Sequence, residues 1–197
     1  MVELVWNNPK IHRIQIELPR NPLKNLNIYV LQTPERSLVI DTGFNDPACH
    51  EVLWAGLEEL KLNLSSTALF LTHFHADHIG LVWDFVERGV PVYMGKREYE
   101  YTKTINAEDI VGGMNEAFSQ EGFPGGLQLR HLGESKGRLE IPRTGFPVNV
   151  IEDGEDLPMG DLKVRTICTP GHTPGHTVLY LPEQQILFTG DHILFDI

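Results

Sequence analysis

Four side chains of the kind that bind metal ions lie within six consecutive residues of this chain. They are His73, His75, Asp77 and His78. Imidazole nitrogens and carboxylate oxygens are the ligands that a catalytic zinc ion uses. Side chains alternate along an extended stretch, so His73 and His75 should point to the same side and reach one ion. This density of ligand-type residues favours a metal site over a polar loop with incidental histidines.

The last two members of this cluster should turn away from the first two. Asp77 and His78 fall where the next helix is predicted to begin, so they can serve a second metal ion. Asp77 is also a candidate for orienting or deprotonating a catalytic water.

Two later segments add ligand candidates. The sequence Thr-Pro-Gly-His-Thr-Pro-Gly-His, residues 169–176, follows a predicted strand, and its prolines and glycines indicate a tight loop that holds His172. We predict His172 as the third ligand of the first ion, although a lone turn histidine bonded to backbone would have the same sequence. His176 is expected to be structural or to support a ligand. In Thr-Gly-Asp191 the carboxylate can bridge two ions, but alone the tripeptide is a common turn.

Asp41 ends another apolar run in Leu-Val-Ile-Asp-Thr-Gly, residues 38–43. A carboxylate there can accept a hydrogen bond from a ligand histidine and orient its ring. An Asx-turn into Gly43 explains the same residues, and the sequence does not decide between the two. The remaining histidines have no partner pattern and are predicted to be surface or packing residues: His12, His50, His131 and His192.

The pattern of apolar residues predicts the elements that position these side chains. Strands are expected at residues 11–18, 27–32 and 37–40, which gives an antiparallel start. Asp46 and Pro47 predict a helix start, and the helix should end near residue 62. A buried strand at 68–71 precedes the histidine cluster, and a helix at 79–87 and a strand at 90–94 follow it.

Regularity fails between residues 96 and 148, apart from one predicted helix near 108–119. We interpret this segment as an insertion that covers the substrate as a lid. Strands are predicted again at 162–168, 176–181 and 185–188. Strands, then helices, then strands indicate an α/β sandwich, and we expect one domain over residues 1–197.

Composition excludes several classes of protein. A formal net charge of −11 disfavours binding to phosphate backbones, which depends on clustered Lys and Arg. Cys49 and Cys168 lie far apart without metal or disulfide spacing, which is typical of a reduced, cytoplasmic protein. No signal peptide or membrane-length apolar run is present in the sequence. We therefore expect a small-molecule substrate, no nucleic acid and no membrane partner; oligomeric state is not predicted.

The motif series as a whole resembles the metallo-β-lactamase superfamily. It consists of Asp41-Thr-Gly, His73-x-His75-x-Asp77-His78, Thr-Pro-Gly-His172 and Thr-Gly-Asp191, in that order. The resemblance implies a four-layer αββα sandwich with the metal site at one edge, between the two sheets. By position, it implies that His73, His75 and His172 bind one ion, that Asp77 and His78 bind the other, and that Asp191 bridges them. Asp41 matches the early aspartate of the family.

The chain departs from the family at its end. Members with two metal ions supply a further histidine well downstream of Thr-Gly-Asp, and this chain stops at Ile197. The expectation is therefore a shortened form of a longer protein, with the second half of the sandwich incomplete.

The implied activity is hydrolysis by a zinc-bound hydroxide that attacks a carbonyl. Residues 169–176 resemble the glyoxalase II-like branch of thioesterases and lactonases, which favours a thioester, ester or lactone as substrate. One or two zinc ions are expected, with iron or manganese as other metals. Three alternatives stay open: a mononuclear iron sulfur dioxygenase, an RNA phosphodiesterase, and a metal-binding module without catalysis.

Overall fold

A computed structural model describes residues 1–18, 24–104 and 144–194. Ten strands form a seven-stranded sheet and a three-stranded sheet within these residues. The strands of the large sheet are β1 (Val2–Asn7), β2 (Lys10–Glu17), β3 (Asn25–Gln32), β4 (Ser37–Ile40), β5 (Thr67–Leu71), β6 (Val92–Gly95) and β7 (Asn149–Ile151). The strands of the small sheet are β8 (Arg165–Cys168), β9 (Thr177–Leu181) and β10 (Ile186–Phe188).

The large sheet is mixed, and its strands lie side by side in chain order. Strands β1 to β4 pair antiparallel, as the sequence predicts for β2 to β4, whereas β4 to β7 pair parallel. The small sheet is antiparallel in the order β10, β9, β8. The change from antiparallel to parallel pairing places the carboxyl ends of β4, β5 and β6 at one edge of the large sheet.

Helices connect the parallel strands. They are α1 (Pro47–Glu59), α2 (Ala76–Ile79), α3 (Val82–Glu87) and α4 (Lys96–Thr102). Helix α1 begins as predicted, because the Asp46 side chain accepts hydrogen bonds from the backbone of Ala48 and Cys49, with Pro47 in the first turn. Its buried residues Leu53 and Leu57 recur at helical spacing.

Two apolar clusters hold the layers together. The first packs α1 and α3 on one face of the large sheet, with Leu53, Phe85 and Leu69 among its members. The second lies between the two sheets and includes Phe70 of β5 and Leu179 of β9. The order is therefore helices, large sheet, small sheet, and the α/β class with a large mixed sheet is confirmed.

The predicted helix at 79–87 is instead two short helices. In a continuous helix the His78 carbonyl would accept from the N–H group four residues later. Here it accepts from the backbone N–H (2.9 Å) and the hydroxyl (2.8 Å) of Thr42. The Thr42 hydroxyl oxygen also accepts from the N–H of Leu81, at 3.1 Å. Thr42 therefore interrupts the helix while it anchors the segment that carries His78 to the end of β4.

Other differences from the sequence predictions lie at the sheet edge and at α4. Strand β1 was not predicted, because most of its residues are exposed and its pattern lacks a buried face. Helix α4 occupies the start of the segment predicted to be irregular, and its Glu98 is buried. Residues 105–143 of the predicted lid, with the predicted helix near 108–119, lie outside the described residues. In the part of the chain that the structure describes, no helix has the length and apolar character needed to cross a membrane.

Candidate metal centre

The predicted ligands lie at the edge where the two sheets meet. The loop between β5 and α2 carries His73 and His75, and α2 carries Asp77 and His78. The small sheet contributes His172 from the loop between β8 and β9, and Asp191 from the segment after β10. Three separate segments of the chain, at residues 73–78, 172 and 191, thus converge on one point.

Three imidazoles form the first group of potential ligands. His73 Nε2 lies 3.0 Å from His75 Nδ1, and His172 Nε2 lies 2.9 Å from the same His75 nitrogen. The ligand atoms of these three residues all lie within 4.8 Å of one another. His75 Nδ1 has a single lone pair or proton, so it cannot form good hydrogen bonds with two ring nitrogens at once. Three nitrogens around one point suit a bound cation instead.

A second group shares His73 with the first. It consists of His73, His78 and Asp191, again with ligand atoms within 4.8 Å of one another. The Asp191 carboxylate reaches both groups, with one oxygen 3.3 Å from His78 Nε2 and the other 3.4 Å from His172 Nε2. Asp77 lies at the margin of this group, 3.5 Å from His78 Nε2.

Asp41 and Thr72 orient two of the ligand rings. Asp41 accepts from the Thr72 N–H (2.8 Å) and hydroxyl (2.9 Å), and it faces His78 Nδ1 at 2.8 Å. Because the Thr72 hydroxyl donates to Asp41, its oxygen is free to accept from His73 Nδ1 at 3.0 Å. These contacts place protons on Nδ1 of His73 and His78, so that Nε2 of each ring is directed into the site.

The backbone of Asp41 has a positive φ of 64°, a conformation that aspartate adopts more readily than most residues. The sequence left open whether this residue forms a turn or supports a ligand. The structure describes an aspartate in a left-handed conformation whose carboxylate contacts Thr72 and His78. Thr72 was missed by the sequence analysis, although its position just before His73 is a usable signal.

Burial favours the neutral form of two of these imidazoles, those of His73 and His75, and the neutral form is the one that binds metal ions. Burial and the neighbouring His78 and His75 rings lower the pKa of His73 well below its usual value. Burial and the adjacent His172 lower the pKa of His75 to about 4. His78 differs: burial opposes its charge, yet Asp41, Asp191 and Asp77 raise its pKa well above the usual value.

The unsatisfied nitrogen of His78 supports a metal site. His78 Nε2 is buried and makes no hydrogen bond, although Asp191 and Asp77 lie within ion-pair distance. Both carboxylates thus lie near the ring nitrogen without hydrogen-bond geometry. Buried polar atoms are normally paired, so this arrangement fits a cation bound by all three groups.

Among the histidines that the structure describes, His176 and those outside the cluster do not join the ligand groups. His176 is fully buried; its Nδ1 lies 3.0 Å from the Thr169 hydroxyl and its Nε2 accepts from the Asp191 N–H at 3.2 Å. It therefore fixes the backbone that carries Asp191, in line with the predicted supporting role. His50 instead pairs with Asp84, 3.2 Å away. His131 lies outside the described residues.

Glu98 was missed entirely by the sequence analysis. This fully buried carboxylate accepts hydrogen bonds from the N–H of Phe74 and from the hydroxyl of Thr173. Burial raises the pKa of the Glu98 carboxyl, while these hydrogen bonds oppose the shift. Nothing in the local sequence Lys-Arg-Glu-Tyr-Glu indicates a buried acid, since its partners lie on distant loops.

The fold and the clustered imidazoles define a class of α/β metalloprotein with its centre between two sheets. The chain belongs to the metallo-beta-lactamase superfamily, whose family model matches residues 22–197. The membership predicted from the motif series is therefore confirmed.

Relatives and solved structures agree with this assignment. The atrochrysone carboxyl ACP thioesterase of Emericella nidulans is 27% identical over 187 residues, which is 95% of this chain and 45% of that protein. The probable metallo-hydrolase YflN of Bacillus subtilis is 30% identical over 172 residues, covering 85% of this chain and 61% of the relative. A metallo-beta-lactamase family protein of Thermus thermophilus superposes with a TM-score of 0.73 at 28% identity, over 95% of this chain and 60% of that chain. This chain thus spans roughly half the length of the first of these relatives and about 60% of the other two.

Proposed function

We propose that this chain carries the metal centre of a zinc-dependent hydrolase that cleaves a thioester, ester or lactone. The observation that carries the proposal is the convergence of His73, His75 and His172, with ligand atoms within 4.8 Å of one another. Three imidazoles with an adjacent carboxylate make a conventional zinc shell. The thioesterase and metallo-hydrolase names of two relatives support the reaction class.

The ligand roles follow from the contacts. His73, His75 and His172 would hold the first ion, and Nε2, Nδ1 and Nε2 are the atoms of these rings that face one another. Asp191 lies between His172 and His78 and is suited to bridge two ions. A zinc ion bound there lowers the pKa of a coordinated water towards neutrality and polarises a carbonyl oxygen.

Asp77 is proposed as the general base and general acid of the reaction. Its carboxylate lies beside His78 Nε2 at 3.5 Å and is mostly buried, with 12% of the side chain exposed. Burial opposes the charge of Asp77, yet the adjacent His78 lowers the pKa of its carboxyl below the usual value, so the carboxylate is ionised at neutral pH. Asp77 orients the attacking water, accepts its proton, and returns a proton to the thiol or alcohol released when the acyl bond breaks.

Asp41 is proposed to act on catalysis through the ligands. It holds His78 directly and His73 through Thr72, and its side chain is 6% exposed. It therefore sets the direction of both rings and does not itself contact the reacting atoms.

The test is a substrate panel on metal-depleted and metal-restored protein. The chain is stripped with a chelator, reloaded with zinc or with iron, and assayed with a thioester, an ester and a lactone. We expect activity with zinc against at least one class and none in the stripped form. Activity restored only by iron with consumption of oxygen would support the dioxygenase alternative, and no hydrolysis after zinc loading would contradict the proposal.

A further inference from the structure

The second Thr-Pro-Gly of the loop between β8 and β9 contacts the start of α4. A Cβ atom at Gly175 would overlap the backbone of Arg97 and Glu98. A Cβ atom at Gly95 would overlap the Thr177 hydroxyl. Glycine at both positions therefore allows the two backbones to approach closely.

The Glu98 carboxylate lies at this contact and connects two loops. Oε1 accepts from the N–H of Phe74 at 2.9 Å. Oε2 accepts from the hydroxyl of Thr173 at 2.8 Å and from the N–H of Gly175 at 2.9 Å. Phe74 stands between His73 and His75 in the sequence, and Thr173 directly follows His172.

We propose that Glu98 is a positioning residue that holds the two ligand-bearing loops at the separation at which His73, His75 and His172 share one metal ion. This inference rests on the metal centre of the proposed function. One carboxylate oxygen is bonded to the first loop and the other to the second. The spacing between the loops is thus set by the width of a single carboxylate.

The chemistry of the contact requires a carboxylate. Its three partners are all donors, and an ionised carboxylate is a pure acceptor. Glutamine has nearly the same size but only one acceptor oxygen. Whichever way its amide is turned, the NH2 group faces the N–H of either Phe74 or Gly175. The Glu98→Gln substitution therefore preserves volume and breaks the link to one loop.

The main experiment measures zinc affinity in Glu98→Gln. Zinc binding is followed by competition with a chromophoric chelator, and the visible absorption of the cobalt(II) form reports the ligand geometry. We expect the first zinc ion to bind about 10- to 100-fold more weakly, as for other groups that orient ligands, with an altered cobalt spectrum. Glu100→Gln, an exposed position on the same helix, is the matched control and should match the wild type in both.

A second pair of variants covers the case in which Glu98→Gln does not fold. Thr173→Val keeps the shape of the buried side chain but removes the hydroxyl that donates to Glu98, whereas Thr173→Ser retains it. We expect weaker zinc binding and a changed cobalt spectrum in Thr173→Val, and recovery in Thr173→Ser.

The outcomes separate this inference from the proposed function. One outcome is that the wild-type chain binds zinc tightly while Glu98→Gln, or Thr173→Val if Glu98→Gln does not fold, has the wild-type zinc affinity and cobalt spectrum. In that case the positioning role of Glu98 is wrong, and the proposed metal centre is unaffected. If the wild-type chain binds no zinc, the proposed function and the inference fall together.

Discussion

The ligand rings depend on a small set of residues behind them. Asp41 contacts Thr72 through both the backbone N–H and the hydroxyl, and it contacts the ring of His78 directly. Thr72 in turn reaches Nδ1 of His73. A ligand held in this way has a single ring orientation and tautomer before the metal ion arrives, which reduces the ordering cost of binding.

Replacement of Asp41 by Asn should weaken metal binding. Asn has one acceptor oxygen in place of two, so its NH2 group must face either the Thr72 N–H or the ring N–H of His78, and one of these two contacts is lost. We expect a loss on the order of 10- to 100-fold in metal affinity or in turnover. Chelator competition measures the metal affinity. An unchanged metal affinity in a folded Asp41→Asn variant would mean that Asp41 is only a turn residue.

Residue type and spacing carried most of the information about the site. The dense cluster from His73 to His78 predicted a metal centre because several ligands in six positions are rare by chance. The supporting contacts of Glu98 and Thr72 could not be predicted in the same way. They depend on hydrogen bonds to loops that become neighbours only once the sheets pack.

At the scale of the elements, α1 supplies the clearest link between sequence and stability. It covers the large sheet with a buried stripe that includes Cys49, Leu53 and Leu57. Leu53 is fully buried, while Glu51 on the same helix is exposed. The helix therefore offers a buried and an exposed position for direct comparison.

The Leu53→Ala variant should lower the free energy of unfolding by about 2–5 kcal/mol, because it leaves a cavity in the core. Glu51→Ala should change it by no more than about 0.5 kcal/mol. Urea denaturation of both variants measures the difference. Equal unfolding midpoints would mean that α1 does not pack on the sheet as described.

Elements with a clear apolar run or period were predicted well, and those shaped by tertiary contacts were not. The apolar run of β4 was predicted with its observed bounds because all four residues are buried. The division between α2 and α3 depends on Thr42, which takes the carbonyl of His78 and lies 36 residues away in sequence. Periodicity within residues 79–87 contains no trace of that contact.

For the whole molecule, net charge makes a separate prediction. With 27 acidic and 16 Lys or Arg residues the chain carries a formal charge of −11. Affinity for nucleic-acid backbones requires clustered positive charge. We expect no retention of single- or double-stranded RNA in a filter-binding assay at low salt. Binding that weakens steeply as salt rises would contradict this and would favour the RNA phosphodiesterase alternative.

The order of the motifs along the chain, from Asp41 to Asp191, predicted the superfamily and therefore the arrangement of the sheets. Composition and periodicity alone indicated only an α/β sandwich. The parallel half of the large sheet then explains the position of the centre, since β4 and β5 both end beside it. Family membership therefore predicted the topology, and residue type and spacing predicted the candidate ligands.

Metal content is the most direct test of the central claim that these histidines form a metal centre. Wild type, His73→Ala and the control His50→Ala are purified without added metal, loaded with zinc, dialysed identically and analysed for elements. We expect about one tightly held ion per wild-type chain, by the count of the three imidazoles of the first group and the Asp191 carboxylate beside His172. His50→Ala should keep this ion and His73→Ala should lose it, because His73 belongs to both ligand groups. A His73→Ala protein with the wild-type metal content, or a wild-type protein that holds none, would contradict the account.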